Sequence, residues 1–104
     1  MELKRGEVWW CELPDRKRRP YVILTRDAAI GVLRSVLAAP VTTTIRLIPT
    51  EVAIGVSDGL PKDGAISLDN LEVVPKWAFI DRIATLSTAK QHELCDAART
   101  AIDC

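Results

Sequence analysis

Arginine and proline stand together at positions 19 and 20, immediately before the run Tyr21-Val22-Ile23-Leu24, and this junction strongly constrains the local fold. Proline fixes its own φ angle, removes one backbone donor and disfavours helical backbone at the preceding residue. Arg19 is therefore predicted to be extended at the start of a strand. Because the run that follows is almost wholly apolar, we expect this strand, residues 20–25, to be buried on both faces.

The guanidinium of Arg19 would then be held by a stiff backbone at the rim of a sheet. Its planar fork offers several fixed donors and suits the recognition of phosphate groups. The alternative is a solvated basic turn before a core strand, since loop charges commonly face only water. Residues 18–24 alone do not separate these two interpretations.

Charge is divided unevenly along the 104 residues, although the formal net charge is zero. Residues 1–50 carry nine Lys or Arg against five Asp or Glu, and residues 51–104 carry five against nine. This split argues against a uniformly basic coat. It favours either one localised positive surface, concentrated at residues 16–19, or two halves that face each other.

The length fits a single domain over residues 1–104, large enough for one core without metal or disulfide staples. Cys11, Cys95 and Cys104 form no Cys-x-x-Cys pair, which favours free thiols in a reducing cytoplasm. His92 and Cys95 would share a helix face, but a structural zinc site needs four ligands, so neither a metal nor another cofactor is expected. No apolar run approaches the ~20 residues of a membrane span, and no signal peptide is evident, so a soluble cytoplasmic protein is expected.

Short β-prone segments separated by turn residues are predicted along most of the chain. Pro40 places the third of them at a sheet edge or at a bulge, because proline donates no ladder hydrogen bond. Residues 26–31 are predicted to form a loop or a single helical turn. The strand segments are residues 6–13, 20–25, 32–42, 48–54, 65–71 and 77–86.

The first strand places Trp9 and Cys11 on its more apolar face, which is predicted to be the core side. Trp10 then lies on the opposite face, where its ring is either a lid over the edge of the core or a platform for a nucleic-acid base.

One helix is predicted at the C-terminal end of the chain. Thr88 and Gln91 have the spacing of a capping box, with Ser87 as a competing N-cap. Five to seven short strands closed by this helix favour a mainly β fold, a small and strongly bent barrel. The apolar stripe expected to pack on the sheet consists of Leu94, Ala98, Ala101 and Ile102.

Several short motifs occur in an order that resembles the MazF/PemK family of bacterial toxins. Each is weak alone, but the ordered set covers nearly the whole chain. The motifs are Arg5-Gly6-Glu7-Val8-Trp9-Trp10, Arg19-Pro20-Tyr21-Val22-Ile23-Leu24-Thr25-Arg26-Asp27, Ala39-Pro40-Val41-Thr42-Thr43-Thr44, Ile48-Pro49-Thr50-Glu51-Val52 and Asp69-Asn70.

This resemblance implies an SH3-like barrel of the CcdB/MazF type with a C-terminal helix, assembled as a homodimer. It implies sequence-specific, metal-independent cleavage of single-stranded RNA that leaves a 2′,3′-cyclic phosphate and a 5′-hydroxyl and so inhibits translation and growth. It also implies a MazE-like antitoxin whose acidic, extended segment occupies the RNA groove. By motif, Arg19 resembles the catalytic arginine of the family and Thr42 its catalytic threonine.

The chemistry expected of these residues is consistent with their side chains. Arg19 can stabilise charge on a phosphoryl group, and Thr42 can hold a non-bridging oxygen through its hydroxyl. A two-histidine mechanism is excluded because His92 is the only histidine. Asp15, the sole carboxylate in the loop before Arg19, is the candidate general base. The alternative is that no side chain accepts the proton and that the rate comes from orienting the 2′-OH and stabilising charge.

Further residues are expected to bind RNA through phosphate contacts and base stacking. For Arg26 the alternative is an ion pair with Asp27, and for the cations of the 14–18 loop it is simple solvation. Two other functions stay open on sequence grounds: a non-catalytic barrel that binds nucleic acid, and a CcdB-like toxin that poisons DNA gyrase. The expected RNA-binding residues are Trp10, Arg16, Lys17, Arg18, Arg26 and Thr43.

Overall fold

The computed structural model of the protein describes residues 2–103. Within this range the chain forms a bent sheet, a short helix after the second strand, a longer C-terminal helix and three 3₁₀ turns. The strands are β1 Glu7–Cys11, β2 Arg19–Ile23, β3 Ser35–Thr42, β4 Glu51–Ile54, β5 Gly64–Ser67, β6 Glu72–Pro75 and β7 Phe79–Thr85. The helices are α1 Asp27–Ile30 and α2 Thr88–Ala101, and the 3₁₀ turns are Val56–Asp58, Leu68–Asn70 and Lys76–Ala78.

All neighbouring strands pair in antiparallel fashion. The sheet runs in the order β4-β5-β3-β2-β1-β7, and β6 pairs with the first half of β3. The predicted fold class, mainly β with a C-terminal helix, is confirmed. Strand β6 was missed, because its four residues follow a 3₁₀ turn directly and show no alternation. Trp77, expected in the last strand, lies instead in the 3₁₀ turn before β7.

The central strands are buried on both faces, as predicted for β2. Val22 packs into a core cluster beneath α2, whereas Tyr21 and Ile23 pack into a second cluster on the other face. The same holds for β1, where Val8 joins the first cluster and Trp9 the second. The prediction that only the Trp9 face of β1 meets the core was therefore wrong, because α2 covers the Val8 face.

Pro40 does not lie in an edge strand, because β3 has partners on both sides. On one side Pro40 is opposite Tyr21 of β2. On the other side, Ser35–Ala38 pair with β6, and only Val41 and Thr42 pair with β5. Pro40 thus lies where β3 changes partners, and no bridge on that side requires its missing donor.

The N-cap of helix α2 is Ser87, not Thr88. The Ser87 hydroxyl accepts a hydrogen bond from the backbone N–H of Lys90, whereas Gln91 donates its side-chain amide to the carbonyl of Leu86. The predicted capping box at Thr88 was therefore wrong and the competing cap was right. Leu94 is buried, whereas Ile102, at the end of the predicted stripe, is exposed.

The Arg5-Gly6-Glu7 motif has a structural role at the start of the sheet. Gly6 has φ +83°, a conformation that favours glycine, and it leads the chain into β1. The Glu7 carboxylate is buried, and it accepts hydrogen bonds from the Lys4 backbone, the Trp9 indole and the Arg82 guanidinium. The motif therefore fixes the N-terminal segment against β1 and β7.

Cys11 is a buried thiol whose chemistry can be tested. Burial, and to a smaller extent the charge of Glu72, raises the pKa of Cys11 from 9.0 to about 12. We expect a thiol reagent at pH 8 to modify Cys95, which is half-buried, and to spare Cys11 in the native protein. Because the unfolded chain loses the Cys11 proton first, native stability falls as the pH rises from 9 towards 12.

Two measurements check this prediction against a Cys11→Ala variant. Thiol titration should give the same count for both proteins when native and one thiol fewer for the variant in denaturant. Urea unfolding at several alkaline pH values should show a steeper loss of stability in the parent protein. A lower native thiol count in Cys11→Ala would contradict the predicted protection.

No helix within residues 2–103 is long and apolar enough to cross a membrane.

Candidate active site

Arg19 and Thr42 lie at the ends of two neighbouring, paired strands. Tyr21 of β2 is opposite Pro40 of β3, and Ile23 is opposite Ala38. Continuing this antiparallel register by two residues places Arg19, the first residue of β2, opposite Thr42, the last residue of β3. The two predicted catalytic residues thus come from strand ends that meet at the same edge of the sheet.

Both residues line an open groove of about 510 Å³. The groove is formed by Trp10 of β1, the residues around the start of β2, the end of β3 with the loop that follows, and the loop before β5. Its cations outnumber its carboxylates, so the groove is suited to a polyanion. The lining residues are Trp10, 17–20, 41–44 and 60–64.

Arg19 keeps its donors available, unlike most arginines of the chain. Its side chain is exposed and makes no hydrogen bond or ion pair with any of residues 2–103. Five arginines have carboxylate partners within 4.0 Å, so the chain contains enough acid to satisfy most guanidinium groups. An unpaired guanidinium at the edge of a groove can donate hydrogen bonds to two oxygens of a phosphate. The paired arginines are Arg16, Arg18, Arg46, Arg82 and Arg99.

The Thr42 hydroxyl is oriented by its own turn. It accepts a hydrogen bond of 3.1 Å from the backbone N–H of Thr44, and the side chain is half-buried. That bond uses one lone pair of the oxygen, so the hydroxyl proton can be donated to a ligand in the groove. Thr43 also lines the groove and is exposed.

Trp10 lies in the groove beneath a cation. The guanidinium of Arg18 lies 5.0 Å from the centre of the Trp10 ring, a cation–π contact, and donates to the Asp81 carboxylate at 3.3 Å. Arg18 therefore covers one face of the ring. A base that stacks here would use the Arg18 plane or displace it from the indole.

Three of the predicted site residues lie away from this groove. Asp15 is largely exposed and pairs with Arg16 at 3.4 Å, so the structure does not bring the candidate base to Arg19 and Thr42. Arg16 bonds to Glu72 rather than facing the groove. Arg26 is exposed before α1 and is not part of the groove lining, and its expected pairing with Asp27 is also absent from residues 2–103.

The loop 60–64 forms a wall of the groove. It adds Lys62 and Asp63, and Asp63 accepts a hydrogen bond of 3.2 Å from the backbone N–H of Val56. A methyl group at Gly64 would come 2.5 Å from the carbonyl oxygen of Thr42, so this wall packs directly on the end of β3.

Glu51 and Asp69 make structural contacts near the loops that flank β4. Glu51 accepts hydrogen bonds from the backbone and the guanidinium of Arg46 and so closes the loop between β3 and β4. Asp69 accepts a hydrogen bond from the Thr50 hydroxyl.

No group of three or more His, Cys, Asp or Glu side chains suited to a metal ion occurs among residues 2–103. Among the described residues, the polar side chains that line the groove are cations, hydroxyl groups, the Trp10 indole and the Asp63 carboxylate.

The fold and the groove together define a class: small, mainly β proteins that carry an arginine and a threonine in a basic groove. Comparison with known proteins agrees with this class. Residues 4–102 match the family described as PemK-like, MazF-like toxin of type II toxin-antitoxin system, and the chain belongs to that family.

The chain has relatives that are named endoribonucleases. It is 45% identical over 101 residues to a probable endoribonuclease MazF5 of Mycobacterium tuberculosis, covering 96% of this chain and 93% of the relative. It is 33% identical to a probable endoribonuclease MazF2 of the same species, over 98% and 100% of the two chains. A solved structure, an endoribonuclease in complex with its cognate antitoxin from Mycobacterial species, superposes with a TM-score of 0.87 at 33% identity, covering 96% and 94%.

Proposed function

We propose that this protein is the toxin of a type II toxin–antitoxin pair and acts as a sequence-specific endoribonuclease on single-stranded RNA. The observation that carries the proposal is the presence of an unpartnered Arg19 and of Thr42 in the lining of one basic groove. Family membership and the names of the relatives support the same activity.

The reaction uses water and the side chains that line the groove. The ribose 2′-oxygen attacks the adjacent phosphorus, the bond from phosphorus to the 5′-oxygen breaks, and a 2′,3′-cyclic phosphate and a 5′-hydroxyl result. Arg19 holds two phosphate oxygens and stabilises the charge that develops on them, while Thr42 donates to a non-bridging oxygen. The 2′-OH gives up one proton and the 5′-oxygen gains one, so protons balance.

Proton transfer is assigned to water in this open groove and not to Asp15, which lies outside it. Arg19 serves charge stabilisation, because a guanidinium is a poor donor of its proton. Orientation of the 2′-OH and electrostatic stabilisation then supply the rate, which suits a slow enzyme.

The remaining groove residues bind the strand around the scissile bond. Lys17 contacts phosphates, Thr43 lies beside Thr42, and the Trp10–Arg18 pair provides a surface for base stacking. Stacking of this kind contributes roughly 1–3 kcal/mol per base.

The same groove explains the partner that we propose for the toxin. Its lining contains Lys17, Arg18, Arg19 and Lys62 against the single carboxylate of Asp63. An acidic, extended segment of a MazE-like antitoxin would complement this surface and exclude RNA from it. A related endoribonuclease has been solved with its cognate antitoxin, which supports the arrangement.

We also propose a homodimer in the cytoplasm. Leu37 of β3 and Val73 of β6 are directly paired on the outer face of the sheet, and both are exposed in the single chain. An apolar pair of this kind on a sheet surface supports the burial of that face in an assembly.

Incubation of the purified protein with a long RNA in EDTA tests the proposed function. We expect defined fragments that end in cyclic phosphate, with cut sites that share a short sequence when the RNA ends are sequenced. Intact RNA with retarded migration would instead support a non-catalytic binder. Intact and unshifted RNA together with inhibition of DNA gyrase would support a CcdB-like toxin, and either outcome would overturn the proposal.

A further inference from the structure

Arg16 was expected from the sequence to bind phosphates. It instead forms hydrogen bonds with two side chains outside the groove. Its Nη1 atom donates to Oε1 of Glu72 at 2.6 Å and to the Tyr21 hydroxyl at 3.3 Å. The Tyr21 hydroxyl in turn donates to Oε2 of Glu72 at 2.8 Å. The three side chains therefore close a ring of hydrogen bonds, in which both carboxylate oxygens of Glu72 are used.

This ring joins three separate parts of the fold at one point. Arg16 belongs to the loop between β1 and β2, Tyr21 lies two residues after Arg19 on β2, and Glu72 begins β6. The strand partners of Tyr21 and Glu72 both lie on β3, at Pro40 and Ala38. The ring thus connects the loop that precedes Arg19 to β2 and β6, which both pair with β3, the strand that ends at Thr42.

The ring is built to persist at neutral pH. The Tyr21 side chain is buried, and burial together with the bond to Glu72 raises the pKa of its hydroxyl, so the proton that Tyr21 donates stays in place. Hydrogen bonds to Glu72 and Tyr21 raise the pKa of Arg16, so the cation keeps its charge. Hydrogen bonds that involve a charged group are stronger than neutral ones.

Lys17 provides the contrast within the same loop. It lines the groove, is exposed and has no hydrogen bond or ion pair with any of residues 2–103. Arg16 and Lys17 are adjacent in sequence, but they face different surroundings. The Arg16 side chain is hydrogen-bonded within the protein, whereas the Lys17 side chain is available to a ligand.

We propose that Arg16, Tyr21 and Glu72 form a clamp that fixes the β1–β2 loop, so that Arg19 is held opposite Thr42. Arg16 is a positioning residue of the nuclease site, whereas Lys17 is a phosphate ligand. This inference rests on the proposed function, which it deepens by dividing the basic loop between two roles.

The test compares Arg16→Ala, Tyr21→Phe, Glu72→Gln and the double variant Arg16→Ala/Glu72→Gln with the matched control Lys17→Ala. Each protein is assayed for kcat and KM on one RNA and for RNA affinity over a series of salt concentrations. Tyr21→Phe removes a single hydroxyl and keeps the buried ring, so it remains informative if a clamp variant with a larger change fails to fold.

Breaking the clamp should lower kcat about 10- to 100-fold with little change in KM, because a displacement of about 1 Å at a reacting group can cost that much. The salt dependence of RNA binding should stay that of the parent protein. The kcat of the double variant should be no lower than that of Arg16→Ala, because both changes break the same ring of hydrogen bonds. Lys17→Ala should raise KM and reduce the slope of log affinity against log salt by about 0.7, as expected for one lost phosphate contact on a single strand.

The inference is overturned if Arg16→Ala reduces the salt slope as Lys17→Ala does, or if the effects of the two single clamp changes add. Cleavage by the parent protein is measured first, and its absence would refute the proposed function rather than the clamp. The clamp can also be tested without RNA by NMR. The backbone signals of residues 17–19 should shift in Tyr21→Phe and in Glu72→Gln. Unchanged signals in both variants would refute the clamp.

Discussion

Replacing Arg19 with alanine should reduce RNA cleavage by about 10²- to 10³-fold, the range seen when one preorganised donor to a developing negative charge is removed. The free energy of unfolding should change by less than about 0.5 kcal/mol, because the side chain is exposed and has no partner among residues 2–103. Single-turnover cleavage and urea unfolding of the same preparation measure both quantities.

Arg34→Ala is the matched control for this substitution. Arg34 is also exposed and without a carboxylate partner in the described part of the chain, but it lies outside the groove. We expect this variant to cleave RNA like the parent protein. Arg19→Lys should recover only part of the lost rate, because an ammonium group cannot make the bidentate contact. Parent-like cleavage by Arg19→Ala would disprove the assignment of this residue.

Replacing Thr42 with valine should lower the cleavage rate about 10²-fold, because the isosteric side chain has no hydroxyl to donate to a phosphate oxygen. The change also removes the acceptor of the Thr44 backbone N–H, at a cost of about 1 kcal/mol in stability. The rate is measured under single-turnover conditions, well below the unfolding transition of the variant.

Thr42→Ser separates these two effects. Serine keeps the hydroxyl and can make the same bond to the Thr44 N–H, so it should retain most of the activity. If Thr42→Ser were as inactive as Thr42→Val, the methyl group or the packing at this position would matter rather than the hydroxyl.

Local sequence patterns predicted part of the Arg19–Thr42 site. The Arg19-Pro20 pair predicted an extended arginine at a strand start, and the apolar run predicted burial on both faces of β2. Both follow from backbone sterics and from side-chain hydrophobicity within a few residues, so neither needed the rest of the chain. The order of motifs added Thr42 and the family.

The errors arose where partners distant in sequence decide the outcome. Pro40 was expected at an edge or a bulge, but β3 exchanges β6 for β5 beside it, so an interior strand tolerates the proline. Arg16 was expected in the groove, because the sequence of a basic run does not show which residue forms an ion pair with a carboxylate. Glu72, 56 residues away, determines that.

The sequence by itself determined the extended Arg19, the doubly buried β2 and the C-terminal helix, because these depend on interactions within a few residues. Only the tertiary structure decided that Arg19, Thr42 and loop 60–64 line one groove, and that Arg16 is held by Tyr21 and Glu72. Those arrangements depend on strand register and on side chains far apart along the chain, and local sequence preferences do not encode them.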